Sequence, residues 1–361
     1  MGGGMLGKSV LTLIAQTRRM WWVILCIFIL AACTDKHSQE EYKNFVLGGF
    51  SPDGSKLALS YCTTQSVCKT GLFDIRQKVF TEITPQDPDH FYIPGGFSPD
   101  GTHLAITVRR NSDNGRDTQV ALLKLATGEI TELTNSHGHR SGPSFSHDGK
   151  KLIFARSNWE RVSGKTRFSH WDIYEIDIAT REERRLTAFQ FFQYSSPFYL
   201  PDDQHFIFSG EGPIEYVSPS GEKGYNGYKV QFRDNQIFVL SPAGEKSLTP
   251  FFTNGDSSDF PTISADGSMI VYLARSDQLD PPRPGFTWDL FLFDGKEHKR
   301  LTKLNSLIND IALSSNGSLS AIVHTRRKQV NNPKLTLFNV DTGQIDSLDP
   351  AQLSEKNTTD Q

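Results

Sequence analysis

Six times along this chain, at intervals of roughly fifty residues, an apolar strand runs into a Ser-Pro-Asp-Gly-like turn and then into a second apolar strand. The copies are Phe50-Ser51-Pro52-Asp53-Gly54, Phe97-Ser98-Pro99-Asp100-Gly101, Phe145-Ser146-His147-Asp148-Gly149, Leu200-Pro201-Asp202-Asp203, Ile263-Ser264-Ala265-Asp266-Gly267 and Leu313-Ser314-Ser315-Asn316-Gly317. The fourth copy has no Gly, and the third, fifth and sixth have no Pro. An Asp-Gly or Asn-Gly pair between apolar runs signals a tight hairpin, because Gly and Asn tolerate the positive φ such turns need. The runs that follow, among them Leu57-Ala58-Leu59, Leu152-Ile153-Phe154 and Ile270-Val271-Tyr272, are apolar without alternation, the pattern of strands buried on both faces.

A third apolar strand completes each unit, and a fourth ends in Ile83-Thr84, Leu133-Thr134, Leu186-Thr187, Leu248-Thr249 or Leu301-Thr302, with Ser347-Leu348 as the last copy. Four short strands per repeat make a blade rather than a solenoid coil. The prediction is an all-β chain: a six-bladed β-propeller over residues 46–349 with four antiparallel strands per blade. The repeats start with the innermost strand and finish with the outermost, so the ends can meet without exchanging a strand, unless Tyr42 to Leu47 or the tail supplies one.

The Phe-Ser-Pro-Asp-Gly turn, the strand after it and the Leu-Thr ending resemble the repeat of TolB-like, WD-like β-propellers. The resemblance implies an envelope protein that binds partners without catalysis. Its type member is a periplasmic component of the Tol-Pal system, whose propeller docks a peptidoglycan-associated lipoprotein. Some related propellers are polysaccharide lyases with a His-bound metal, so a glycan-binding or metal-dependent polysaccharide-acting propeller is the alternative. The family pattern includes an additional N-terminal domain, which is not expected here.

The N-terminus joins basic Arg18-Arg19 to an apolar segment from Met20 to Leu30, and then to Leu30-Ala31-Ala32-Cys33. That apolar core fits a secretory signal and is short for a membrane span. Residues 1–32 are therefore expected to be a lipoprotein signal peptide, Cys33 the lipidated residue, residues 33–45 a polar tether and residues 350–361 a polar tail. Thr34 follows Cys33 where an inner-membrane retention signal would carry Asp, so the expected place is the periplasmic face of the outer membrane. Gly2 to Ser9 match the spacing of a phosphate-binding loop, but no strand precedes them and they fall in the expected signal segment.

Residues 1–32 hold three basic side chains, Lys8, Arg18 and Arg19, and no acidic one, so the formal charge moves from −3 to −6 without them. A mildly acidic body with no basic arm or aromatic-basic interleaving argues against nucleic acid. Two cysteines remain after Cys26 and Cys33. Cys62 and Cys68 bracket a short loop in a compartment that permits disulfides, and a Cys62–Cys68 disulfide is predicted, with two free thiols as the alternative.

The Asp-Gly turns share one face of the disc. Long segments fall on the other, at residues 157–171, 209–235 and 276–288, and they are rich in aromatics. Trp159, Phe168, Trp171, Tyr225, Tyr228, Phe286 and Trp288 lie there, and Phe191, Phe192, Tyr194, Phe251 and Phe252 lie in the connections into blades 4 and 5. Each has an alternative use in capping a blade core. As a group they are predicted to form a partner-binding rim, since aromatics with polar edges are enriched at interfaces.

His137-Gly138-His139-Arg140 lies on the same face, with His170 and His205 as distant candidates for a metal set. Zinc takes three or four protein ligands, so the pair is read as polar turn residues and no metal or cofactor is expected. Asp113, Asn114 and Asp117 have calcium-loop composition without its spacing and are read as a solvated hairpin. No Gly-x-Ser-x-Gly elbow and no His-Glu-x-x-His helix occurs.

Overall fold

Each turn of the repeat is closed by its own side chains. Ser51 Oγ donates to Asp53 Oδ1 at 2.6 Å and accepts from the Lys56 amide at 2.9 Å, while Asp53 Oδ1 accepts from the Ser55 amide at 3.0 Å. The same Ser-to-carboxylate bond recurs at Ser98/Asp100, Ser146/Asp148 and Ser264/Asp266, and Ser314 donates in the same way to the Asn316 amide oxygen. The glycine after the acid sits at φ near +70, for instance +71 at Gly54 and +74 at Gly317, which accounts for its recurrence. In the fourth copy Asp203 takes that left-handed position at φ +50.

The computed structural model describes residues 42–63, 68–85, 89–110, 117–162, 165–188, 191, 193–211, 216–217, 223–224, 236–240, 249–250, 258–275, 287–304, 306–325 and 333–348. The expected signal segment, Cys33 and the tail 350–361 lie outside them. The described residues hold no helix. Six antiparallel blade sheets succeed one another along the chain, each in the strand order of the sequence, and Tyr216–Val217 pairs with Lys223–Gly224 as a separate two-stranded sheet. Blade 1 comprises Tyr42–Phe50, Lys56–Thr63, Cys68–Asp74 and Val79–Glu82. Blade 2 comprises His90–Phe97, His103–Arg110, Thr118–Lys124 and Glu129–Glu132. Blade 3 comprises His139–Phe145, Lys151–Val162, Lys165–Asp177 and Glu183–Arg185.

In blade 4 the innermost strand is split into Gln193–Tyr194 and Phe198–Tyr199, followed by Phe206–Glu211, Gln236–Leu240 and Thr249–Pro250. Blade 5 runs Ser258–Ile263, Ile270–Arg275, Trp288–Phe293 and His298–Arg300, and blade 6 runs Leu307–Leu313, Leu319–Thr325, Lys334–Asn339 and Ile345–Leu348. The innermost strand of blade 1 starts at Tyr42, ahead of the expected start at residue 46, because Tyr42 and Asn44 pair with Thr63 and Cys62.

Second strands are buried on both faces as their composition predicts: Leu57, Ala58, Leu59, Leu104, Ala105, Ile106, Leu152, Ile153 and Phe154 are all inaccessible. The Leu-Thr ending has a structural cause. In blade 3, Thr187 Oγ1 donates to the buried Asp172 at 2.7 Å and accepts from the Ile173 amide at 2.9 Å, while Arg185 reaches the same carboxylate. Blade 5 repeats this with Thr302, Asp289, Leu290 and Arg300, and blade 2 uses Thr134 with Gln119 in place of the acid. The Thr hydroxyl thus ties the outermost strand to the third, and its pairing with a buried acceptor leaves no polar group unsatisfied.

The ring closes by packing. Blades 1 and 6 each keep four strands of their own and share one apolar cluster, which includes Phe45, Leu47, Tyr61, Ala321, Val323 and Leu337. The Leu47 amide donates to Asp310 Oδ2 at 2.8 Å, and Lys78 Nζ lies 2.8 Å from Asp346. Cys62 and Cys68 face each other across the hairpin of blade 1, and the structure joins their sulfurs.

Candidate functional site

In a blade whose strands run in sequence order, the loop between strands two and three and the connection to the next blade leave on the side opposite the Asp-Gly turns. Residues 157–171, 209–235 and 276–288 all join the second and third strands of blades 3, 4 and 5, so their ends lie on that one side. In blade 3 the two strands run on past the disc as a paired hairpin, from Asn158↔Ser169 to Val162↔Lys165.

The base of this hairpin is set in a polar network that sequence reasoning missed. Trp159 Nε1 donates to Asp117 Oδ1 at 2.9 Å, the Gly138 amide donates to the same oxygen at 2.9 Å, and His137 Nδ1 lies 3.0 Å from Asp117 Oδ2. The His137 and Trp159 rings are 4.8 Å apart. Asp117 is therefore an acceptor hub and not a solvated hairpin residue; burial alone would raise its carboxyl, and the Trp159, Gly138 and His137 donors outweigh it and hold it below the usual range. Asp113 and Asn114 lie outside the described residues.

Beneath this layer Arg140 is fully buried. Its Nη1 donates to the carbonyls of Ser136 at 3.0 Å and Thr118 at 3.2 Å, and its Nη2 to Ser136 Oγ at 2.6 Å and Glu183 Oε2 at 3.1 Å. Arg156 donates to the other Glu183 oxygen and to the His137 carbonyl, and lies over the Tyr174 ring. One carboxylate thus serves two guanidiniums within blade 3, and the Arg140 bond to the Thr118 carbonyl ties them to blade 2. Burial lowers the Arg140 pKa, with Glu183 opposing it. The sequence signal for this network was only Arg140 in the His-Gly-His-Arg run; apart from Ser136, four positions back, its partners in it are 22 and 43 positions away.

The two histidines of that run diverge. His137 faces Asp117, and His139 meets the edge of Trp171 with centroids 5.6 Å apart. His205 is held by Asp202 at 2.6 Å in a turn of the opposite face, and the side chain of His170 lies outside the described residues. Among the described residues no three His, Cys, Asp or Glu side chains gather as a metal set.

The predicted rim separates into two groups. Trp171 and Phe191 are buried in the core between blades 3 and 4, exchanging backbone hydrogen bonds of 3.0 and 2.9 Å, with Phe191 packed on Phe208 and Phe238. Tyr194 lies 4.1 Å from Trp171, and burial pushes its hydroxyl up to about 12. Trp171 and Phe191 seal a blade junction, because the connection into blade 4 runs back against Trp171, and do not present rings for docking; Tyr194 is half-buried against them.

Trp159 and Trp288 are half-buried, the latter pairing with Ser306 at the entry to blade 6. Phe168 is on the blade 3 hairpin, though its side chain is outside the described set, and Phe192, Tyr225, Tyr228, Phe251, Phe252 and Phe286 lie outside the described residues.

A narrow cavity of about 80 Å³ is lined by the innermost strands of all six blades. Its wall includes Gly48, Gly95, Gly142, Ser195, Phe260 and Asp310. Asp310 is the one ionisable residue in this lining among the described residues, and burial pushes its carboxyl up to about 7 against the Leu47 and Ile311 amides.

Sequential four-stranded sheets around a wall of innermost strands define a six-bladed β-propeller. Its repeat is TolB-like. The Tol-Pal system protein TolB of Francisella tularensis subsp. holarctica (strain OSU18) is 26% identical over 213 residues, covering 52% of this chain and 46% of that protein. The counterpart from subsp. mediasiatica (strain FSC147) is 25% identical over the same length. The match thus spans less than half the length of these relatives.

Among solved structures, TolB from Acinetobacter baumannii superposes with a TM-score of 0.53 at 21% identity, covering 84% of this chain and 63% of that one. An oligogalacturonate lyase in complex with manganese gives 0.52 at 19%, covering 85% and 77%. Both likenesses are of fold. No protein-family model matches the chain.

Proposed function

We propose that this protein is a lipid-anchored, non-catalytic docking module of the cell envelope. In this reading Cys33 carries the lipid, the propeller stands off the periplasmic face of the outer membrane, and the loop face of blades 3 to 5 receives a protein partner. The supporting observation is asymmetry. The turn face is six short turns, whereas the opposite face carries a paired hairpin that extends beyond the disc, set on a buried polar network. A scaffold that holds one projecting element so firmly on one side is built for contact there. The relatives that carry the name of the Tol-Pal system favour an envelope protein as the partner.

The test is a photo-crosslinking residue at Trp288 or Phe252 in intact envelopes. A discrete polypeptide adduct supports the proposal; an adduct competed by free oligosaccharide moves the function to glycan binding; silence at both sites removes the rim. Cys33→Ala should release the protein from membranes. Alkylation without reductant should find Cys62 and Cys68 blocked, since closing so short a loop stabilises by about 2 kcal/mol.

A further inference from the structure

Among the described residues, paired backbone goes beyond the four-stranded blades in the two-residue ribbon Tyr216–Val217/Lys223–Gly224 and, as a direct extension of a blade, in the longer blade 3 hairpin. Its inner neighbour stops at the Ser157↔His139 pair, and on the other side the last bridge is Trp171↔Phe191. Beyond those points five residue pairs continue from Asn158↔Ser169 to Val162↔Lys165, and among the described residues no strand flanks either edge. At roughly 3.3 Å per residue, the arm stands about 15 Å above its blade. Strand edges of this length with no described strand beside them are templates for pairing with another chain.

The base gives the arm a fixed orientation. Trp159 is tied to Asp117 and packed on His137, and Arg156, just below, is tied to Glu183. A strand held at its root presents backbone donors and acceptors with little ordering cost when a partner adds to it.

The charge of the arm runs against that of the body. Its paired residues include Arg161, Lys165 and Arg167 against a single Glu160, in a chain of formal charge −6 over residues 33–361. Local basic charge on an acidic domain selects an acidic partner and speeds its approach.

We infer that the arm captures its partner by β-augmentation: an extended, acidic segment of another polypeptide adds as a third strand along the edge of Asn158–Val162 or of Lys165–Ser169. This rests on the docking-face reading and names the partner's chemistry. An open strand edge supplies directional backbone pairing, which a peptide uses and a lipid headgroup does not.

The experiment places a photo-crosslinker at Phe168, with Trp288 as the reference site, in intact envelopes containing the full chain, and maps adducts by mass spectrometry. The expected Phe168 adduct is a polypeptide segment with an excess of Asp and Glu. Arg161→Glu with Arg167→Glu should lower its yield by about tenfold while the Trp288 adduct and the melting temperature hold. If that pair lowers the melting temperature, Lys165→Glu alone and salt of about 0.5 M provide the same reading.

A lipid adduct, a segment without acidic excess, indifference to charge reversal, or silence at Phe168 while Trp288 captures protein would each overturn the arm and leave the docking face standing. Silence at both sites would overturn the face beneath it.

Discussion

The same six innermost strands carry the most uniform surface of the molecule and the least uniform one. Where each strand enters its turn, Ser, an acid and a left-handed residue repeat, and Asp53, Asp100 and Asp266 are held at about 2, first by a Ser hydroxyl and then by a backbone amide. Three residues before Phe50, Phe97, Phe145, Leu200, Ile263 and Leu313, by contrast, stand Leu47, Pro94, Gly142, Pro197, Phe260 and Asp310. Register shifts interrupt the inner strand there in blades 1, 2, 3, 5 and 6. A turn in water can be the same six times, because each copy satisfies itself. Around an axis six large side chains compete for one space, so some copies must be small and others fill the gap. Uniformity marks local chemistry, and variety marks a shared volume.

The widest test of that contrast is pH. Asp310, raised from 3.8 to about 7, keeps its proton in the folded state where the unfolded chain has lost it. Its contribution is therefore full below about pH 3.8 and is lost as pH rises through about 7, by as much as about 4 kcal/mol. The turn acids work in the opposite sense: their stabilisation is present above pH 3.8 and is lost as pH falls towards 2. Asp310→Asn keeps an acceptor for the Leu47 and Ile311 amides without a charge. The stability difference between Asp310→Asn and the parent should grow in the variant's favour from pH 5 to pH 8. A pH-independent difference in thermal melts would refute the channel carboxylate's role.

Glycines of the two surfaces should respond unequally. A Cβ on Gly95 would come within 2.2 Å of the Pro143 carbonyl oxygen and 2.9 Å of that of Ala105, both backbone atoms of crowded inner strands. Gly95→Ala should cost about 3 kcal/mol, measured by chemical denaturation. Gly54 has nothing within 4 Å of the added carbon, and only its φ of +71 opposes substitution, so Gly54→Ala should cost about 1 kcal/mol. Equal losses would mean that the inner strands have room to separate.

How much of this was legible follows the same division. Blade number, turn chemistry and the doubly buried strands were written in short-range pattern, and Leu-Thr marked the outer strands even before Asp172 and Asp289 explained it. The candidate site depended on pairs with no period. Asp117 finds Trp159 forty-two positions on, and Arg140 finds Glu183 forty-three on. Trp171 and Phe191 carry the composition of a docking rim and the position of a wedge, and only the backbone bridge between them separates the two. Tyr42-Lys43-Asn44 has no apolar rhythm, and the strand there is set by pairing with Thr63 and Cys62.

One exception on the uniform face sharpens the comparison. At the first two junctions the Pro of one turn packs on the Gly of the next, Pro52 against Gly101 and Pro99 against Gly149. Between blades 3 and 4 those positions are His147 and Asp203, which copy by copy look like two separate losses. They are one exchange: Asp203 accepts from the His147 amide at 2.7 Å, lies 2.9 Å from His147 Nδ1, and accepts from the Asp148 amide at 3.0 Å. Proline has no amide hydrogen to give and glycine no carboxylate to receive it, so either residue of the other junctions, placed alone here, would leave its partner's bonds unmade. His147→Pro and Asp203→Gly should each cost about 1.5 kcal/mol, from lost hydrogen bonds between the His147 and Asp148 amides and the Asp203 carboxylate. His147→Pro with Asp203→Gly should return to within about 0.5 kcal/mol of the parent, a coupling that thermal melts of the full cycle can resolve. Additive losses would mean that the junction holds two unrelated substitutions, and that the uniform face tolerates departures one copy at a time.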